Sequence, residues 1–164
     1  FYFEYPHVEW TYKAKSAVSD YMRAGAYPAI RRKIDGLSQI DAANEILRFV
    51  GTSREYRTDD QNWGFEKWNF PDESCLYEYG DCDDYAILFC KLVEDLLGLE
   101  TVLVSAEVDN GSHLTTAVRF TEPLEGDKLL YNGKTFYFCE PTSTFTKVGQ
   151  RCWNKFEVKT ISEF

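Results

Sequence analysis

The residues of this 164-residue chain best suited to covalent chemistry are five cysteines, Cys75, Cys82, Cys90, Cys139 and Cys152, and two histidines, His7 and His113. Cys82 has the most distinctive setting. It lies in Gly80-Asp81-Cys82-Asp83-Asp84, directly before the apolar run from Tyr85 to Leu97. A thiol at a helix N-terminus meets unpaired backbone N–H groups and the positive end of the helix dipole, which favour thiolate. The same N–H groups can stabilise an oxyanion forming beside the sulfur. Asp81, Asp83 and Asp84 oppose this by repulsion, so the sulfur needs a basic partner. His113 is the natural one, 31 residues on, and Glu140 follows after 27 more as a group that can orient the ring. Taken singly, these residues also read as a packed thiol, a solvated turn histidine and a strand-end acid. Together and in this order they read as a nucleophile, a general base and its orienting carboxylate.

The elements that must position them are legible in the periodicity. Residues 10–26 read as a loosely amphipathic helix, with a second piece starting at Pro28 and ending at Gly36. Ser38-Gln-Ile-Asp41 is a helix start, and Ile40, Ala43, Ile46, Leu47 and Val50 keep helical spacing until Gly51, expected to stop it. Residues 54–71 are polar and aromatic without a period, and read as an ordered loop. Acids fill the first turn after Gly80, apolar residues nearly encircle the thirteen from Tyr85 to Leu97, and Gly98 closes them: a central, buried helix. The period then becomes two. Strands are expected over 101–108, 113–120, 135–140 and 155–161, with turns at Asp109-Asn110-Gly111 and Asn132-Gly133. Helices followed by antiparallel strands give an α+β fold. The length suits a single domain over 1–164: a helical lead-in (1–40), a core carrying the three residues (44–142) and a C-terminal extension with the last strand (143–164).

Composition removes whole classes of function. A net charge of −9 and a pI near 4.7, with no basic cluster, argue against nucleic acid. No apolar stretch is long enough to span a bilayer. There is no C-x-x-C and no second histidine near the first, so zinc is not expected, and a chain of this size needs no disulfide framework. Asp81, Asp83 and Asp84 lack the remaining ligands of a calcium loop and read as helix-start carboxylates; no metal or cofactor is called for. Asn110-Gly111-Ser112 matches a glycosylation sequon but reads as turn chemistry. Phosphate-binding loops and serine-nucleophile elbows are missing from the sequence. The chain begins Phe-Tyr-Phe-Glu, so we expect an excised segment or processed product. Its compartment, cytoplasm or cell envelope, and its oligomeric state stay open.

Gly80-Asp-Cys-Asp-Asp-Tyr-Ala-Ile-Leu-Phe89, His113 with Ala117-Val118-Arg119-Phe120, and Tyr137-Phe-Cys-Glu-Pro-Thr142 resemble the bacterial transglutaminase-like cysteine-peptidase superfamily. The resemblance runs from about Asn44 to Thr142. It includes Phe49-Val50, Tyr56, Thr58-Asp59-Asp60, Trp63-Gly64 and Pro71-Asp-Glu-Ser74. It implies a papain-like core with Cys82 as nucleophile, His113 as general base and acid, and Glu140 at the acidic position. That position is more often Asp in the family. Gly51 stands where some relatives carry a Gln that could assist the oxyanion; Gln61, Asn62, Trp63 and Trp68 are the candidates to replace it or bind substrate.

Two functions follow. One is cysteine-dependent acyl transfer on a peptide or glutamine amide through a thioester, with water (peptidase or amidase) or an amine (transglutaminase) as acceptor. The other is an inactive binding module on the same scaffold, recognising a peptide or glycan through the aromatic surface from Trp63 to Phe70.

Overall fold

The computed structural model describes residues 22–164. Most of the helix expected over 10–26 lies outside them; its end, Met22–Ala26, is a π-helical turn running into α1 (Tyr27–Ile34). Pro28 sits in the first turn of α1, where its missing N–H leaves no helical bond unmade. The second helix, α2 (Gln39–Thr52), is capped by Ser38, whose hydroxyl accepts the Asp41 N–H at 3.1 Å. Its buried face is Ala42, Ala43, Ile46, Leu47 and Val50.

Gly51 corrects one expectation. It does not stop α2, which runs on to Thr52. A Cβ at Gly51 would lie 2.8 Å from the Ser143 carbonyl oxygen and 3.3 Å from that of Pro141. The glycine is there for close backbone approach.

The supposed loop over 54–71 contains three short elements: β1 (Glu55–Tyr56), α3 (Asp59–Asn62) and the start of α4 (Pro71–Leu76). The two helical turns form through local hydrogen bonds and β1 through pairing with a distant strand, and neither leaves a trace in hydrophobic period. Thr58 N–H donates to the Gln61 side chain at 3.3 Å, and Phe70 N–H to Glu73 at 2.8 Å. Next comes β2 (Tyr79–Gly80), pairing in parallel with β1.

The cysteine helix, α5 (Cys82–Leu97), is buried from Asp83 to Val93, and Gly98 caps it in the left-handed conformation at φ 66°. Five strands follow: β3 (Thr101–Val108), β4 (Gly111–Val118), β5 (Lys128–Tyr131), β6 (Lys134–Cys139) and β7 (Phe156–Glu163). Their order is β5-β6-β4-β3-β7, antiparallel throughout. Asn132 and Gly133, both at positive φ, make the tight β5–β6 turn. β5 escaped the sequence reading because its alternation is only exposed against half-buried.

One sheet face packs on α5, with Leu103 and Leu114 against Ala86, Ile87 and Cys90, and Val118 and Cys139 in the cluster that holds Leu88, Phe89 and Leu92. The other face carries Val102, Val104, Ala117, Phe136 and Phe138. Burying each large side chain contributes about 1.5–3 kcal/mol, so the N-terminus of α5 is fixed against the sheet by its most stable layer. This is an α+β architecture. No helix among the described residues is long and apolar enough to cross a membrane.

Candidate active site

Gly80 and Asp81 set the turn that presents Cys82. A Cβ at Gly80 would lie 2.8 Å from Asp84 Oδ2, and Asp81 N–H donates to that same oxygen at 3.3 Å. Only a glycine lets the chain pass that close to the helix start. The thiol opens into a cavity of about 410 Å³, whose lining includes Tyr56, Trp68, Cys82, His113 and Leu114.

The histidine and the glutamate meet across two strands. β4 pairs with β6 with Thr116 opposite Cys139. Continuing that register brings Glu140 level with Thr115, two residues from His113 on the same face and so within diagonal reach. His113 Nε2 lies 3.2 Å from both Glu140 oxygens. Glu140 is only 1% exposed. It also accepts from Thr142, from the backbone N–H at 3.1 Å and from the hydroxyl. A carboxylate at Nε2 fixes the ring as the Nε2–H tautomer and leaves Nδ1 as the basic nitrogen. Trp153 covers the imidazole with ring centroids 4.3 Å apart, and Phe156 stacks behind it.

The sulfur's electrostatics run against the helix-end expectation. Burial, foremost, and the charges of Asp83, Asp81 and Glu140 push the Cys82 thiol up to about 12, although the Leu114 backbone hydrogen bond pulls the other way. Desolvation and three acids work against the helix-end N–H groups, so the sulfur depends on a base to take its proton.

Of the expected accessory residues, Trp68 lines the cavity, with its indole N–H on Glu66 at 3.0 Å. Gln61, Asn62 and Trp63 are not among the lining residues. Gln61 accepts the Thr58 N–H, and Trp63 packs edge-on to Tyr77 at 5.3 Å. Tyr56, Thr142 and Trp153 were not singled out from sequence. Tyr56 and Thr142 fell within the quoted family motifs, whereas Trp153 carried no local signal.

The transglutaminase-like domain family matches residues 26–124, more than half of the chain, spanning Cys82 and His113 and ending before Glu140. The chain belongs to the transglutaminase-like domain family. No curated protein sequence matches it. Its fold resembles that of Legionella pneumophila LapG, at 15% identity and a TM-score of 0.60 over 92% of this chain and 80% of that one. A calcium-bound form of LapG aligns at 19% identity and 0.55 over 86% and 75%. A Cytophaga hutchinsonii protein solved as a candidate cysteine protease gives 8% identity and 0.52 over 97% and 58%. These likenesses establish the papain-like α+β core of this transglutaminase-like domain.

An acidic cluster adjoins the Cys82 turn. Carboxylate oxygens of Asp59, Glu66 and Asp83 lie within 4.8 Å of one another, as do those of Asp59, Asp81 and Asp84. Asp59 Oδ1 and Asp81 Oδ1 are buried without a hydrogen-bond partner. Burial raises Asp84 to about 7 and Asp59 to about 6, with neighbouring acids adding to both, and raises Asp83 well above the usual carboxylate range. Orphaned buried oxygens among converging carboxylates fit a hard divalent cation. Asp59 and Glu66 add carboxylates beside Asp81, Asp83 and Asp84 that the sequence alone did not bring there.

Proposed function

We propose that this transglutaminase-like domain is a cysteine-dependent acyl-transfer enzyme acting on peptide or glutamine amides. The observation that carries the reading is that His113, held through Nε2 by buried Glu140, lines the same cavity as Cys82. Cys82 Sγ attacks the substrate carbonyl carbon while its proton passes to His113 Nδ1, giving a tetrahedral oxyanion. The carbon–nitrogen bond then breaks, and the leaving amine takes the proton from His113. Water attacks the resulting thioester, its proton going to His113. The tetrahedral adduct collapses to a carboxylic acid, and the leaving sulfur regains its proton from the imidazole. Glu140 orients the ring throughout and Trp153 shields it from water. An amine in place of water gives transglutamination. With a thiol raised as far as Cys82's, His113 has to remove the proton as the bond forms.

The acidic cluster extends the proposal. Asp59 with Glu66 and Asp83, or Asp59 with Asp81 and Asp84, would hold a calcium-like ion, the cation that one LapG structure carries. When bound, it would offset the negative charge crowded beside the nucleophile.

The rival binding-module reading draws little support from the aromatic surface. Trp63 faces Tyr77 and Phe70 packs into the core beside Trp68, leaving Phe65 as the exposed ring of that stretch.

The reading is tested with p-nitrophenyl acetate, an activated acyl donor. The expected result is a stoichiometric nitrophenol burst with acetyl on Cys82 by peptide mass spectrometry, absent in Cys82→Ser. Acetyl spread over exposed Cys152 and lysines, with Cys82 unmodified, would contradict it.

A further inference from the structure

An oxyanion forming beside Cys82 is stabilised further by each donor aimed at it besides the helix-end N–H groups, and the side chains expected from the sequence to help are elsewhere. Position 51 faces the carbonyls of Ser143 and Pro141, so no side chain there reaches the cleft. Neither Gln61, whose Oε1 accepts the Thr58 N–H, nor Trp63, edge-on to Tyr77, lines the cavity.

Tyr56 lines the cavity with the sulfur instead. It is one of only two residues in β1, and its register opposite Gly80 places it beside the Gly80-Asp81-Cys82 turn. Two backbone bonds fix that register at 2.9 Å each, Glu55 N–H to Glu78 and Arg57 N–H to Gly80. Tyr85 ties the segment to α5 by donating its hydroxyl to the Arg54 carbonyl at 2.9 Å, and its ring lies 6.1 Å from that of Tyr56. The Tyr56 ring is roughly half exposed and lines the same cavity as Cys82. So short a strand, braced this heavily, serves to aim one side chain.

We infer that Tyr56 is a catalytic residue that donates its hydroxyl proton in a hydrogen bond to the oxyanion formed when Cys82 attacks a carbonyl. The inference rests on the acyl-transfer reading above. A carbonyl carbon bound to sulfur carries its oxygen into the cavity that Tyr56 and Cys82 both line, where a phenolic donor can meet it. Burial and the nearby Cys82, Asp81 and Asp83 raise the phenol, keeping it a protonated donor across the working range. No proton is transferred from Tyr56: it stabilises charge while His113 does the proton chemistry.

Two reagents separate this role from a structural one. Acylation by p-nitrophenyl acetate passes through an oxyanion; alkylation by iodoacetamide does not. In the full chain, Tyr56→Phe, which keeps the ring, should slow the acylation burst by roughly 10²-fold. Alkylation of Cys82 should stay within about threefold of wild type. Acylation unchanged by Tyr56→Phe would overturn the inference, and so would an equal fall in both rates, which marks a disturbed thiol. A wild type with no burst would overturn the Cys82 reading and this inference with it, whereas a burst surviving in Tyr56→Phe overturns this inference alone.

Discussion

His113 Nε2 sits 3.2 Å from both carboxylate oxygens of Glu140, inside a sheet end where Glu140 is almost fully buried. Bidentate capture of one ring nitrogen decides which nitrogen acts as base. It also offsets the extra methylene of Glu relative to Asp, because the longer side chain reaches the ring diagonally across β4 and β6. Glu140→Gln should therefore keep the fold but lose tautomer control, and we expect acylation of Cys82 to drop by about 10²-fold or more. Glu140→Asp should fall between the two, as burst kinetics would report.

Thr142 holds Glu140 in place through two hydrogen bonds. Thr142→Val keeps the backbone bond and removes the hydroxyl donor to a buried acid. The expected cost is about 1–3 kcal/mol, read from denaturant unfolding, with a loss of acylation rate. A variant as stable as wild type would mean the hydroxyl bond contributes nothing.

Gly51→Ala tests the packing behind the acid. The added methyl must push on the carbonyls of Pro141 and Ser143, which follow Glu140 directly. Over-packing of this kind costs about 1–3 kcal/mol, and the displaced loop should impair acylation as well as stability. Melting temperature and burst rate measured on the same sample should fall together.

The acidic cluster makes stability depend on pH in a definite direction. Asp84 and Asp59 sit at about 7 and about 6 in the folded protein, above their unfolded values, so the folded chain binds more protons between about pH 4 and 7. In the presence of a chelator, stability should fall as pH rises through that window and level off above it. Calcium should raise the melting temperature at pH 7.5, and Asp59→Asn should remove most of that rise. A melting temperature indifferent to calcium would argue against the cation.

The sequence carried the elements with strong periods, above all α5 and the β3–β4 hairpin, because a buried helix and alternating strands are written in hydrophobicity. Cys82, His113 and Glu140 could be put forward from sequence because each lies near an element's end beside turn chemistry. It missed what depends on packing between distant segments. Asp59 and Glu66 approach Asp81, Asp83 and Asp84 only through folding, and Trp153 reaches His113 across forty residues. Gly51 was misread for the same reason: a glycine that stops a helix and one that admits a neighbouring backbone look identical in sequence.

The central claim is that Cys82 owes its reactivity to His113, and differential alkylation tests it most directly. Native protein is treated with iodoacetamide at pH 7.5 and Cys82 labelling is followed by peptide mass spectrometry, with exposed Cys152 as internal reference. Because burial and its acidic neighbours raise the Cys82 thiol so far, His113→Ala should slow its labelling by at least about tenfold while Cys152 is unchanged. Equal labelling of Cys82 in wild type and His113→Ala would contradict the account.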